Sequence, residues 1–344
     1  MDKKSGGGLY VRPLRKNTSI LSIEVFFCMK EFKAIDEQIE ILKDRGLIFK
    51  DTNMACRYLL TNNYYNIING YGKYFQVSAD TFIKGTRFDE VRNLYFFDKQ
   101  LKQTFFNSIL NVEHHLKSIF AYRFAEKFKN KRYAYLDINS YDPNKILSVG
   151  RLISDLSRTI NFYKDKVNSP IHHYVKKYND VPIWIMVEFL DFGKLCAMIK
   201  NSKRSIQNKI CRDLMEFIQE NIGNVNEHFS PEIMISFIEN IHELRNVCAH
   251  NNRLLDFRCK ADSKYFRPLH KKSNIEDNSS RRYAYSVFVS MQCFLSQTEF
   301  KILSNTIRKR MNLLKNHLNS IEIEEILNLL RFPSEWLAHP RLEQ

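Results

Sequence analysis

Glycine and proline are scarce in this sequence. Its 344 residues include 10 glycines and 8 prolines, whereas average usage is about 7% for glycine and about 5% for proline. Sandwiches, propellers and glycine-rich nucleotide-binding loops need many turn-forming residues, so the composition argues against all three. A hydrophobic fraction of 44% also excludes an intrinsically disordered chain. We therefore predict an all-α protein with long helices.

The sequence also lacks paired cysteines and a long hydrophobic run. Its seven cysteines are scattered without a Cys-x-x-Cys pair, which is typical of reduced thiols in a cytosol. The most apolar stretch, residues 181–199, is interrupted by Glu188, Asp191 and Lys194, whereas a bilayer span needs about 20 mostly apolar residues. We therefore expect a cytoplasmic protein with no membrane partner.

The chain divides into three predicted parts. Residues 1–29, which include three consecutive glycines, are predicted to be a flexible extension. Residues 30–85 are predicted to be an N-terminal helical and aromatic segment, and residues 86–344 a helical domain. Apolar residues at steps of three and four predict the individual helices. These cover residues 34–45, 51–62, 88–128, 146–163, 184–199, 206–222 and 282–315, and one further helix begins at Pro231 and stops before Asn251-Asn252.

Basic residues exceed acidic residues by 53 to 38, which gives a formal net charge of +15. Such an excess points to a polyanionic partner, either nucleic acid or an anionic membrane. The excess is concentrated in residues 200–212 and 301–315, which contain no acid, and in residues 258–272, which contain Asp262 alone. Any one run could be an ordinary solvated face, but the three together favour a phosphate-binding surface. The candidate residues are Lys203, Arg204, Arg258, Lys260, Lys264, Lys271, Lys272, Arg308 and Arg310.

The segment Ser230–Arg253 is the most informative part of the sequence. A serine followed by proline is typical of a helix start, and polar residues crowd into the last turns of the predicted helix. The helix dipole favours a cation at its C-terminal end, where His250 is placed. One interpretation is an ordinary polar helix end, in which Arg245 pairs with Glu239 or Glu243 and His250 caps backbone carbonyls.

A zinc site is not expected in this helix. His242 and the glutamate that follows it begin like the zinc-protease motif His-Glu-x-x-His, but Asn246 stands where the second histidine ligand would be. The adjacent histidine pairs elsewhere point about 100° apart on a helix and cannot chelate together. We therefore predict neither a metal nor a cofactor.

The C-terminal end of the helix resembles a known motif. The string Arg245-Asn246-x-x-x-His250 is similar to the Arg-x4-6-His motif of the HEPN superfamily of helical ribonucleases. Residues 244–254 around it resemble the signature of the bacterial abortive-infection family of the AbiD/AbiF type. Further similarities lie in residues 37–46, 63–71, 182–193 and 332–336.

The resemblance implies an all-α HEPN-type bundle with additional helices and a role in defence against phage. It also implies a metal-independent endoribonuclease, in which Arg245 binds phosphate, His250 transfers protons, and Asn246 binds phosphate or orients its neighbour. Arg245 and His250 are about 140° apart on a straight helix and do not lie side by side. The resemblance implies a homodimer, in which two such motifs face each other in one cleft.

RNA is the expected partner, as substrate and, as in some similar proteins, as a small structured regulator. The polar residues that follow the motif are candidate RNA contacts: Asn251, Asn252 and Arg253. Aromatic residues nearer the N-terminus are candidates for base stacking: Tyr64, Tyr65 and Tyr71. The alternative function is an RNA-binding module of a toxin–antitoxin-like system, which is held by such an RNA and does not cleave. A DNA-binding regulator lacks support, since no helix-turn-helix pattern stands out.

Overall fold

The computed structural model describes residues 32–338, so the predicted extension of residues 1–29 lies outside the described residues. Helices dominate this range, and the predicted all-α fold is confirmed. The first six helices are α1 (Ile35–Asp44), α2 (Thr52–Asn62), α3 (Phe88–Lys127), α4 (Ile146–Tyr163), α5 (Pro170–Tyr178) and α6 (Ile183–Met186). The next seven are α7 (Phe192–Asn201), α8 (Arg204–Ile222), α9 (Pro231–Ala249), α10 (Arg267–His270), α11 (Ala284–Ser290), α12 (Gln297–Lys315) and α13 (Ile323–Leu330).

Helix α3 is the central element of the fold. Its 40 residues extend over about 60 Å, and it packs against α6, α8, α9 and α12. The apolar side chains at steps of three and four, among them Leu101, Phe105 and Ile109, are fully buried. Glu90 stabilises the start of the helix by accepting from the backbone N–H of Arg87 at 3.1 Å. The sequence predicts this helix to within one residue, because its apolar stripe is uninterrupted.

The aromatic segment between α2 and α3 contains short elements of several kinds. A π-helical turn (Tyr65–Asn69) and a 3₁₀ turn (Gly72–Phe75) precede two antiparallel strands, β1 (Gln76–Ser78) and β2 (Thr81–Phe82). The sequence did not predict this hairpin, because strands of two and three residues are too short to show an alternating pattern. Buried side chains of the segment belong to the same hydrophobic core as those of α3. The boundary before residue 86 stays a prediction.

Two of the predicted helices are wrong, because each is divided into two helices in the structure. The sequence predicts one helix over residues 184–199, but α6 gives way to a 3₁₀ turn, and α7 begins where the Asp191 carboxylate accepts a first-turn N–H at 2.8 Å. The predicted helix over residues 282–315 is likewise divided, and α12 begins at a capping box between Ser296 and Glu299. The apolar spacing continues across both breaks, so periodicity alone did not reveal them. The short helices α5 and α13 were not predicted either.

The described residues contain no helix that is long and apolar enough to cross a membrane. The six cysteines within residues 32–338 are all unpaired. The seventh, Cys28, lies outside the described residues.

Candidate functional site

Helix α9 carries the predicted motif at its C-terminal end. Ser230 caps the start of the helix by accepting from the backbone N–H of Ile233 at 3.4 Å. The apolar stripe of α9, which includes Phe237 and Leu244, is fully buried, and the helix packs against α3 and α7. Asn251 adopts a left-handed φ of 54°, which asparagine tolerates better than most residues. The helix therefore ends immediately before the asparagine pair, as its sequence predicts.

The two glutamates expected to pair with Arg245 bind other groups. Glu239 forms an ion pair with Lys200 at 2.5 Å. Glu243 accepts from the backbone N–H of Lys260 at 2.9 Å. Arg245 forms no ion pair within residues 32–338. The interpretation of Arg245 as half of an ordinary helix-end ion pair therefore finds no support in the geometry.

The surroundings of the Arg245 guanidinium leave its charge uncompensated. The central guanidinium carbon, Cζ, lies 5.6 Å from the ring centre of Phe106 on α3. The Nη1 atom donates a long, weak hydrogen bond to Asn246 Oδ1 at 3.4 Å. The Nε atom is buried and has no hydrogen-bond partner among the described residues. A half-buried guanidinium without a carboxylate can bind a phosphate through two parallel hydrogen bonds.

A second histidine, His242, lies one turn before Asn246 on the same side of α9. Asn246 Nδ2 donates to His242 Nε2 at 3.2 Å, so the asparagine amide bridges His242 and Arg245. Burial lowers the pKa of His242, the nearby Arg245 cation lowers it further, and Asp191 opposes both effects. The ring is therefore neutral at pH 7 and accepts a hydrogen bond from Asn246. In the sequence His242 stands out only as part of an incomplete zinc motif, although its four-residue spacing to Asn246 predicts this contact.

His242 fits where it does because Gly193 of α7 lies against it. A Cβ atom at Gly193 would lie 3.1 Å from His242 Nε2 and 3.3 Å from Asp191 Oδ1, which is closer than side chains normally approach. The ring of Phe192 meets the His242 ring edge-on, with 5.8 Å between centres. The start of α7 thus fixes the His242 ring.

His250 is exposed at the end of α9. Its backbone N–H closes the last helical turn on the carbonyl of Asn246 at 3.0 Å, but its ring makes no hydrogen bond within the described residues. The ring therefore does not cap the helix carbonyls, and it is accessible to a ligand. His242, Asn246 and His250 follow one another at intervals of four residues, which places them along one side of the helix.

The loop after His250 is anchored to α3 by a buried polar network. Asp98 accepts from the backbone N–H groups of Leu254 and Leu255 at 3.0 and 3.2 Å. Lys102 forms an ion pair with Asp98 at 3.0 Å and donates to Asn251 Oδ1 at 2.8 Å. The amide oxygen of Asn251 is thus used within the fold, although the sequence predicts an RNA contact there. Tyr71, a predicted stacking residue, is buried and donates to Asp98 at 2.7 Å.

The charge of Arg253 is also compensated within the fold. It forms an ion pair with Asp256 at 2.5 Å and donates to the carbonyl of Gly70 at 2.6 Å. Asp256 also binds Lys73 at 2.6 Å. These contacts join the loop after α9 to the N-terminal segment. Asn252, in contrast, is exposed.

The remaining predicted RNA contacts differ in how far their charges are compensated. Arg204 is paired with Glu232, Lys272 donates to a backbone carbonyl, and Arg308 is only 5% exposed beneath Trp336. The backbone N–H of Lys260, and not its side-chain ammonium, donates to Glu243 on α9. The exposed residues that form no ion pair within the described range are Arg258, Lys260, Lys264 and Lys271, while Lys203 and Arg310 are partly buried.

The described residues contain no group of three or more His, Cys, Asp or Glu side chains that could hold a metal ion. The fold and the site define a helical protein that presents an unpaired arginine and an exposed histidine at one helix end. The sequence matches the family model described as "Abi-like protein" over residues 57–256, more than half of the chain, and the chain belongs to this family. The matched region includes Arg245, Asn246 and His250. Comparison with curated proteins and with solved structures gave no match.

Proposed function

We propose that this protein is a cytoplasmic abortive-infection effector of the AbiD/AbiF type that binds RNA and cleaves it by metal-independent HEPN chemistry. Membership of the Abi-like family supports the role in phage defence. The proposed chemistry depends on one observation. The guanidinium of Arg245 meets no carboxylate among the described residues, and the ring of His250 at the end of the same helix is exposed without a hydrogen bond.

The reaction assigns a separate task to each residue. The 2′-oxygen of the RNA attacks phosphorus, the bond from phosphorus to the 5′-oxygen breaks, and the products carry a 2′,3′-cyclic phosphate and a 5′-hydroxyl. A base must remove the 2′-proton, and an acid must protonate the leaving oxygen. His250 performs proton transfer, while Arg245 binds the non-bridging phosphate oxygens as negative charge develops on them. Asn246, which bridges Arg245 and His242, holds the guanidinium in place.

The active form in this proposal is a homodimer. One chain supplies one His250, whereas the reaction needs both an acid and a base. A two-fold axis beside the end of α9 would bring two copies of His250 to one phosphate. Cleavage per chain should then fall on dilution, over the concentration range in which sedimentation shows the dimer dissociating. Undiminished cleavage by a monomeric preparation would contradict the dimer.

The decisive experiment compares His250→Ala with the native chain. Purified protein is incubated with RNA in excess EDTA, and the ends of the products are analysed. Because the His250 ring is exposed and unbonded, His250→Ala should keep the native melting temperature while cleavage falls about 10²- to 10⁴-fold. His317→Ala, which changes an exposed histidine beyond α12, is the matched control and should cleave normally.

Two other outcomes would contradict a catalytic role of His250. Loss of folding in His250→Ala would show that the ring is structural. Native protein that binds RNA without cleaving it, even though folded and dimeric, would favour the RNA-binding module of a toxin–antitoxin-like system. In that case the protein should purify from its host with a discrete small RNA, which extraction and sequencing would identify.

A further inference from the structure

A groove lies between the C-terminal end of α3 and the residues that lead into α6. Its aromatic lining includes Phe128, Tyr133 and Trp184, and a second groove beside it shares Ala125, Lys129 and Trp184. Trp184 is 55% exposed, and Tyr122 at the second groove is 64% exposed. Large aromatic side chains with this much exposure in a concave surface are typical of a binding site.

The rim of the first groove is strongly basic. Residues 127–132 contain four basic residues and no acid, and they lie outside the three basic runs described above. Lys131 is paired with Asp137, but Lys129 and Arg132 are exposed and form no ion pair in the described part of the chain.

Acidic residues do little to offset this charge in the first groove. Asp180 is the one acid among its lining residues, and its carboxylate accepts from the backbone N–H of Tyr133 at 2.9 Å. The second groove contains two further acids. Glu126 is bound by Arg123 and Lys209, whereas Glu188 is exposed. The unpaired cations Lys129 and Arg132 therefore combine with the exposed ring of Trp184 in the first groove.

We propose that this groove binds single-stranded RNA, with a base stacked on Trp184 and the backbone phosphates bound by Lys129 and Arg132. The proposal rests on the proposed function only in naming RNA as the ligand. Stacking on an aromatic ring requires an unpaired base, and every base has a face that can stack. An acidic peptide would satisfy the cations but would leave the exposed indole without a flat partner.

The groove is connected to the candidate cleavage site by one stretch of chain. Pro182, Ile183 and Trp184 line the groove, and Gly193 lies against His242. Gly193 is nine positions after Trp184, so their Cα atoms are at most about 32 Å apart. The groove is thus linked by a short stretch of chain to the residues that fix the His242 ring.

The tryptophans of the protein provide a direct readout of stacking. The chain has two tryptophans, and Trp336 is only 7% exposed, so a bound base can stack on Trp184 alone. The probe is a short single-stranded RNA with 2′-O-methyl groups, which cannot be cleaved because the 2′-hydroxyl is blocked. We expect this RNA to quench the tryptophan emission, and the same strand in a duplex to quench it far less. In Trp184→Leu the quenching should vanish and affinity should fall about tenfold.

Two matched controls lie far from Lys129. Phe96→Leu removes a half-exposed aromatic ring, about 50 Å along α3 from Lys129, and Lys84→Ala removes an exposed cation just before α3; neither should change RNA affinity. Lys129→Ala should reduce the steepness of the salt dependence by about 0.7 in a plot of log affinity against log salt, whereas Lys84→Ala should leave it unchanged.

The possible results distinguish failure of the groove proposal from failure of the proposed function. If the native protein binds RNA but Trp184→Leu binds it equally well and no quenching occurs, the groove proposal fails and the proposed function stands. If no RNA binds at all, both fail. If heparin, a polyanion without bases, quenches Trp184 as strongly as RNA does, the groove binds polyanions without stacking and this proposal is wrong.

Discussion

Removing the Asp98 carboxylate should destabilise the protein strongly, because it breaks a buried polar network on α3. Asp98 is 0% exposed, and Lys102, its ion-pair partner, is 4% exposed. The carboxylate accepts from the Tyr71 hydroxyl and from two backbone N–H groups of the loop after α9. Burial and the adjacent carboxylate raise the pKa of Tyr71, so the phenol stays protonated and donates.

The expected loss of unfolding free energy follows from the unpaired charge that Asp98→Ala leaves in the core. The ammonium of Lys102 loses its counter-charge in a buried place, although its bond to Asn251 remains. Breaking a buried pair by removing one partner typically costs about 3–5 kcal/mol. This is a large part of the roughly 5–15 kcal/mol that stabilises a typical domain. Lys102→Met should also destabilise, because it leaves the buried carboxylate without its cation.

A double-mutant cycle measures the interaction itself. The free energy of unfolding is obtained from urea titrations followed by far-ultraviolet circular dichroism for the native chain, Asp98→Ala, Lys102→Met and the double variant. We expect the double variant to lose about 1–3 kcal/mol less than the sum of the single changes, since it leaves no unpaired charge. Additivity within about 0.5 kcal/mol would show that Asp98 and Lys102 do not interact, which would refute this reasoning. A changed m value would mean that the native or denatured state had changed as well.

Two further predictions concern His270, which is buried, and His242, which is partly buried. Burial and Arg281 lower the pKa of His270 to about 4, so between about pH 6.5 and pH 4 the unfolded chain binds a proton that the folded chain does not. Unfolding free energy should therefore fall by about 3 kcal/mol over this range because of His270, and urea titrations of His270→Gln should show a weaker pH dependence. Gly193→Ala should lower RNA cleavage about tenfold in the EDTA assay. Its Cβ would displace His242 and, through Asn246, the Arg245 guanidinium, and small misplacements of a substrate-binding group reduce the rate. Gly150→Ala is the control, because no atom lies within 4 Å of a Cβ there, and normal cleavage by both variants would contradict the assignment.

Long regular helices were predictable because their signals are local. The stripe of α4 and its flanking turn predict residues 146–163, and α4 spans Ile146–Tyr163. The break before α12 was equally local, since Ser296 and Glu299 have the spacing of a capping box. Apolar periodicity continues on both sides of this polar pair, so periodicity alone predicts one uninterrupted helix there. The capping residues, and not the apolar spacing, determine where α12 begins.

The motif at the end of α9 was predictable as a set of residues but not as a set of contacts. The motif identifies Arg245 and His250 from the sequence alone. The sequence around the motif does not show that Glu239 pairs with Lys200, or that Glu243 accepts from a backbone N–H. Those partners come from α7 and from the loop after α9. The contact between His242 and Asn246 is the exception, because both residues belong to one helix.

A net charge of +15 does not by itself locate an RNA surface, because many cations are already used within the fold. Arg253 joins the loop after α9 to the N-terminal segment, and Arg308 is buried over Trp336 at 4.4 Å from its ring centre. To bind phosphate, such a residue would first have to give up a partner that stabilises the folded chain. Arg245 and Lys129 have no such partner among the described residues. Pairing, rather than the number of basic residues in a run, therefore decides which cations are free to bind phosphate.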